Sequence, residues 1–332
     1  MTSIETPTVL TALLDRAQAY APEYGGGLST HLPMALVSLH ALGAPAPRME
    51  AFFATVSARL NPAPTAAAAA DDWLAARGDR AAFASLRSYF LQAIADHGRD
   101  AVLHQTLPSL VDGVGAAAFH GLLRTASATV ANHDAELASG LAVWASGHLP
   151  LASFVSAQPS PPSTTNTADW LAHMAAQNDA WRVDTGSITS QMRAVVRTPA
   201  FRDGADCLAV HDGSLRELAA QALAIYLRTK NFTVLHLITS AHALRLLMPW
   251  LVEPLIAARH YARAYAAGFA ASGVKIDAPI IAVNVLPWPE ALRAGAASDD
   301  EHVIKLVYAC HEEWKVTGEA AYQRAASLAV AA

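Results

Sequence analysis

Charge, cysteine and long apolar runs are all scarce in this chain. Charged residues make up only 15% of its 332 residues, against 53% that are hydrophobic. A chain so poor in charge must hide much of itself, in a large core, in an interface such as that of a homodimer, or in both. Its two cysteines, Cys207 and Cys310, stand too far apart for a cysteine zinc motif and exclude a disulfide framework, which suits a reducing, cytoplasmic setting. The mean hydropathy of +0.24 raises the question of membranes. The most apolar stretch, Leu246 to Ala258, is broken by Pro249, Glu253 and Pro254, and no run supplies the roughly 20 apolar residues of a spanning helix. The opening MTSIETPTVL has neither a basic nor an apolar region, so no secretory signal is expected. A net charge of −5 without basic blocks gives no electrostatic footprint for nucleic acid.

Catalytic motifs of the common kinds are missing too. There is no P-loop, no G-x-S-x-G nucleophile elbow and no H-E-x-x-H. Gly113, Gly115 and Ala118 match G-x-G-x-x-A, but HQTLPSLVDG before them is no strand and a helical pattern follows. Without a βαβ unit those glycines cannot aim a helix N-terminus at a pyrophosphate. A serine hydrolase and a Rossmann-type flavoprotein are therefore disfavoured.

What is present is helical spacing and histidine. Apolar residues recur at helical intervals in Asp79 to Phe90, in Ala118 to Leu141 (one helix or two) and in Leu215 to Leu227. Asn231 is placed to cap a helix running to Leu247, where Pro249 stops it. Ser298 with Glu301 three residues later has the form of a capping box that opens a helix to about Thr317. Alternating β-branched runs are rare, and only Ile276 to Leu286 offers a short strand or extended segment. The expected fold is an all-α, large multi-helix bundle forming a single domain over 1–332, with the Pro/Ser/Thr-rich segment 158–169 as a surface loop.

The chain has 14 histidines against 23 lysines and arginines, and several lie in apolar helical contexts where an unpaired imidazole is costly. His31 follows Gly25 to Gly27 at a helix start, where Ser29 or Thr30 is a natural cap and Pro33 fits the first turn. The positive end of the helix dipole there favours a neutral, ligand-competent ring, although a capping histidine is the plainer reading. His120 has Arg124 one turn along and small neighbours, Ala116 to Ala118 and Gly121, that allow close approach. A histidine hydrogen-bonded at a helix crossing would look the same.

His236 and His242 are six residues apart, about 120° around a regular helix, so they do not share a face as a ligand pair would. Either the helix is distorted or the two have different roles. His302 and Lys305 are one turn apart. Lys305 lies among Val303, Ile304, Leu306 and Val307, and either snorkels to water or loses its proton through desolvation. A neutral lysine amine can take up carbon dioxide as a carbamate, an anionic oxygen ligand. The other histidines, among them His97, His133, His148, His211 and His311, lie near charges or loops and read as solvated or capping residues.

Four blocks carry a resemblance. Tyr24 to Ala35 (YGGGLSTHLPMA), Phe119 to Arg124 (FHGLLR), His236 to Arg245 (HLITSAHALR) and Asp299 to Leu306 (DDEHVIKL) resemble, in this order, recurrent blocks of the questin oxidase family. The likeness spans about Tyr24 to Glu312. It implies an enzyme of the kind that oxidatively opens polyketide anthraquinone rings. Such enzymes are described as NADPH-dependent Baeyer–Villiger-type monooxygenases and also as non-haem iron dioxygenases whose site uses histidines and a carbamylated lysine. Position by position, the resemblance nominates His31, His120, His236 and His242 as metal ligands and Lys305 as the carbamate, with His302 as its neighbour or substitute. Arg124 and Arg245 become candidates to pair with a phenolate or with the carbamate, surface salt bridges being the ordinary alternative.

The resulting expectation is an iron(II)-dependent oxygenase of a polycyclic aromatic or quinone-type substrate, with molecular oxygen as co-substrate and zinc or nickel as surrogate ions after purification. The alternatives are an NADPH-dependent Baeyer–Villiger-type monooxygenase and a non-catalytic helical protein that binds an apolar small molecule.

Overall fold

The computed structural model describes residues 8–151, 164–177, 186–198, 201 and 204–331. Fifteen helices dominate these residues. The first seven are α1 (Val9–Ala17), α2 (Leu32–Ala41), α3 (Ala46–Ser57), α4 (Phe83–His97), α5 (Arg99–Leu110), α6 (His120–Ala131) and α7 (Asp134–Ser146). After them come α8 (Thr167–Ala175), α9 (Ile188–Val195), α10 (Ser214–Thr229), α11 (Phe232–Leu247), α12 (Pro254–Ser272), α13 (Trp288–Ala297), α14 (Glu301–Thr317) and α15 (Ala320–Val330). Among the described residues the one sheet is a two-residue hairpin, β1 (Glu23–Tyr24) against β2 (Leu28–Ser29). Gly25, Gly26 and Gly27, all at positive φ, turn its corner. Among the described residues no helix is long and apolar enough to cross a membrane.

The all-α expectation holds, and several local readings can be compared with it. Asn231 caps α11 as its position suggests, accepting hydrogen bonds from the backbone N–H groups of Thr233 and Val234. The Ala118 to Leu141 pattern resolves into α6 and α7, parted by Asn132 in the left-handed conformation. At α14 the cap is Asp300 rather than Ser298: its carboxylate takes the His302 N–H, while Ser298 Oγ accepts from the Asp300 N–H. Ile276 to Leu286 forms no strand, although the Ile281 N–H reaches the Leu227 carbonyl. Residues 158–163 of the expected loop lie outside the described residues, and its last residues, from Thr167, already belong to α8. Gly113 ends a 3-10 turn and Gly115 lies in the turn that follows it ahead of α6, with α5 rather than a strand before them.

One hydrophobic core joins both halves of the sequence, from Leu13 and Leu36 through Trp144 to Leu244 and Leu306. α11 packs against α6, α10, α12 and α14, and α2 packs against α6 and α14. The α6 and α7 pair is the closest. A Cβ on Gly121 would lie 2.7 Å from Trp144 Cα, and one on Gly140 would lie 2.8 Å from the Thr125 backbone nitrogen. Small residues thus let these two backbones meet, which fixes where α6 begins.

Candidate metal centre

Four helices begin at one place. His31 is the N-cap of α2, His120 is the first residue of α6, His236 lies in the opening turns of α11 and His302 in the first turn of α14. Their rings form a closed circuit. Centroids are 4.6 Å apart for His31 and His120, 5.4 Å for His120 and His236, 5.3 Å for His236 and His302, and 4.6 Å for His302 and His31. Phe232 covers His236 and His302 edge-on at 4.9 and 4.5 Å. Ligand atoms of His31, His120 and His236 lie within 4.8 Å of one another. His31, His120 and His236 are buried, and the His302 side chain is 15% exposed.

The backbone and nearby carboxylates set the tautomers. His120 donates its Nδ1–H to the Ala117 carbonyl at 2.5 Å, and His236 donates its own to the Phe232 carbonyl at 2.9 Å. His302 Nδ1 leans on the Asp300 carboxylate at 3.3 Å. Each of these three rings is therefore left with a lone pair on Nε2. His302 Nε2 is buried and has no partner among the described residues. Glu301 faces His31 without a hydrogen bond: its Oε2 lies 3.7 Å from Nδ1, which has no hydrogen-bond partner among the described residues, and its Oε1 takes a 2.5 Å hydrogen bond from Arg59.

The inner nitrogens of His31 and His120 approach to 2.6 Å. If His31 donated its Nε2–H there, its bare Nδ1 would face the Glu301 carboxylate. If it kept the proton on Nδ1, two lone pairs would confront each other. A shared cation removes the conflict, and imidazole nitrogens suit iron, zinc, nickel and copper. The donor set fits a metal.

The approach to His120 is strained. Ala117, Ala118 and Phe119 have φ of 49°, 53° and 70°, three successive residues in a region that L-amino acids with a Cβ disfavour. That left-handed run is what brings the Ala117 carbonyl back onto His120 Nδ1. Nothing in an Ala-Ala-Ala-Phe string announces it.

Electrostatics keep the rings neutral. Burial is the largest influence on all four and lowers each pKa. For His31 and His120 the Lys305 charge comes next, and for His236 the charge of His120. His120 falls to about 3 despite its bond to Ala117, and His302 falls even though Asp300 pulls the other way. Lys305 is itself buried on α14. Burial lowers its ammonium to about 7 against the pull of Glu301 and Asp300. Its Nζ forms no hydrogen bond among the described residues. Four positive helix ends with neutral nitrogen donors suit a metal that also carries an anionic ligand.

His242 lies elsewhere on α11, with its Nδ1 on Glu313 Oε1 at 2.6 Å, and Arg245 Nε reaches the same oxygen at 2.7 Å. The helix is regular and the 120° separation is real, so His236 and His242 serve different places. Arg124 is in a buried bidentate pair with Glu136, at 2.5 and 2.9 Å, outside the ring of histidines. Among the remaining histidines, His133 caps α7 and His148 pairs with Asp112. Sequence reasoning missed the outer partners Glu301, Arg59, Glu136 and Glu313. Glu313 lay within the helix expected to run to about Thr317, but nothing in the sequence marked its carboxylate as a partner.

The family model described as Questin oxidase-like matches residues 28–310. No curated protein matches the chain.

Proposed function

We propose, since the chain belongs to the questin oxidase-like family, that it is a metal-dependent oxygenase acting on a polycyclic phenol or quinone. Membership of the family suggests an oxidoreductase of aromatic substrates. Non-haem iron, the ligand set and the ring-opening reaction are our extension of that statement. The observation that carries it is the ring of four imidazoles at four helix starts, the outer nitrogens turned to backbone or carboxylate oxygens. In this reading His31, His120, His236 and His302 hold the ion, with His302 taking the place that the sequence resemblance gave to His242.

Iron(II), when bound, supplies the redox chemistry with dioxygen that no side chain here can perform. The protein's own groups do the rest. Ala117, Phe232 and Asp300 orient the rings of His120, His236 and His302 and fix their tautomers, and the Glu301 carboxylate faces His31. Apolar surroundings, Phe232 among them, shield the site from water and strengthen every charge interaction inside it. The converging helix starts favour negative charge on whatever binds, a phenolate included. Lys305, with a proton weakly held near neutral pH, is suited to add to carbon dioxide: the ammonium first gives up one proton, the neutral amine forms the N–C bond as one C=O π bond opens, and a second proton leaves the nitrogen, so that a buried cation becomes an anionic oxygen donor.

The test combines metal content with oxygen uptake. Protein purified without chelators or a metal-affinity tag should carry close to one metal ion per chain. His120→Ala and His302→Ala should each lower that occupancy at least tenfold. The iron-loaded protein should consume oxygen with a reduced hydroxyanthraquinone, without NADPH, and yield ring-opened product. Full occupancy in both variants would end the shared-site reading. Uptake only with stoichiometric NADPH would replace the dioxygenase with the monooxygenase.

A further inference from the structure

Away from the ring of histidines, α4, α6 and α7 frame a cavity of about 90 Å³ together with the end of α1 and residues 63–66. At roughly 10–15 Å³ for each water-sized sphere, that is room for several. Tyr20, Phe83 and Leu91 give it an apolar wall, and two arginines, Arg87 and Arg124, stand in the lining. No aspartate or glutamate does. None of the clustered histidines lines it, nor does Lys305.

The two guanidiniums are locked in place by one hydrogen-bonded network. Arg124 gives Nε–H and Nη2–H to the Glu136 carboxylate at 2.5 and 2.9 Å. The same carboxylate accepts from Gln18 Nε2 at 2.8 Å. Gln18 Oε1 accepts from Ser139 Oγ at 2.7 Å and from Arg87 Nη2 at 3.1 Å, and Ser139 Oγ accepts from Arg87 Nε at 3.0 Å. Glu136 is thus taken by Arg124 and Gln18, while Arg87 meets only neutral oxygens and forms no ion pair among the described residues. Neither Nη1 has an acceptor among those residues. Two cations against one carboxylate leave a surplus of one positive charge beside the cavity. Burial first, and the charge of Arg124 second, hold the Arg87 guanidinium below its ordinary range, although Glu136 pulls the other way. A cation withdrawn from water without a counter-ion is costly unless something pairs with it.

We propose that this cavity binds a small carboxylate carrying a short apolar group, of the size of acetate or propionate. The donors left over on the two guanidiniums suit a planar carboxylate, which accepts from arginine N–H groups at both oxygens. One negative charge cancels the surplus, whereas a doubly charged anion would leave an excess of the opposite sign. The apolar end has Tyr20, Phe83 and Leu91 to pack against. Gln18 and Ser139 are positioning residues, because they hold Arg87 through Nε and Nη2 and leave its Nη1 unspent. The site is separate from the metal centre, and its occupancy does not depend on the ion.

The experiment is a calorimetric titration of metal-loaded protein with sodium propionate, ionic strength being held constant with sodium chloride. Wild type should give saturable binding, and inorganic phosphate should bind at least tenfold more weakly. Arg87→Gln removes the surplus charge and should weaken propionate binding at least tenfold with metal content unchanged. Ala84→Leu, at another lining position, fills the cavity and leaves every charge in place. It should cause the same loss, and it serves if the glutamine variant fails to fold. Absence of saturable binding by wild type, or wild-type affinity in the folded variants, would overturn the proposal. Phosphate bound as tightly as propionate would overturn the assignment to a carboxylate.

Discussion

On the buried face of α14, Lys305 sits between Ile304 and Leu306 in sequence and one turn beyond His302. Its ammonium, lowered to about 7 by burial, has carboxylates at Glu301 and Asp300 too weakly engaged to restore it. A residue kept for packing would not be a lysine here. Lys305→Met, of similar length and apolar, should stabilise the metal-free protein at pH 7 by about 1–4 kcal/mol, the scale seen when buried ionic groups give way to apolar ones of similar volume. Oxygen uptake by the same variant should fall at least a hundredfold. Urea unfolding and an oxygen electrode measure the two, and a loss of stability would show that the amine has a structural partner. The sequence made Lys305 conspicuous because a charge among Val303, Ile304, Leu306 and Val307 is visible in one dimension. It could not choose between snorkelling and burial, since that depends on α2 and α11 closing over the same face.

Where helices start decides the geometry of the candidate site. α6 starts after three left-handed residues, and Gly121 lets α7 approach. Ala118→Gly removes a left-handed strain of about 1–2 kcal/mol and adds an unfolded-state entropy cost of about 0.5–1 kcal/mol, so the variant should be more stable by about 0.5–1 kcal/mol. Gly121→Ala should lose about 1–3 kcal/mol, because its Cβ would meet the Trp144 backbone rather than a movable side chain. Chemical denaturation of both variants checks the pair of signs. At this scale α11 was legible almost to the residue, since an asparagine cap and a proline stop are local chemistry. The α14 cap was misplaced by two residues, because Ser298 and Asp300 are both good caps and the choice fell to the carboxylate that also reaches His302. The left-handed run had no local cause to read: alanine prefers the opposite hand, and it is tertiary packing that imposes the turn.

Taken as a whole, the molecule buries four imidazoles in neutral form, and this links its stability to pH. The unfolded chain takes up protons on them below about pH 6.5, whereas the folded rings refuse, His120 down to about 3. The unfolded state then binds more protons, so stability falls as pH drops through that window. Lys305 acts in the same sense at higher pH: with a folded value near 7 against about 10.4 unfolded, stability falls between about pH 10 and 7 and is flat for this group below. The urea midpoint of metal-free protein should therefore decrease steadily from pH 8 to pH 5. His236→Gln, which removes one such ring, should flatten the slope.

Sequence alone determined the helical class, the cap and stop of α11, the absence of a nucleotide-binding context around Gly113 and Gly115, and the pool of histidines from which a site had to be drawn. Those rest on spacing, caps and composition, which act over a few residues. Tertiary structure decided which histidines stand together. The sequence resemblance nominated His242 as a ligand and His302 only as the neighbour or substitute of Lys305, yet α14 turns His302 into the ring of imidazoles, while the 100° step of α11 carries His242 round to Glu313. Which buried nitrogen meets which partner depends on how α2, α6, α11 and α14 cross. The crossing is fixed by contacts between residues that are neighbours only once the chain has folded.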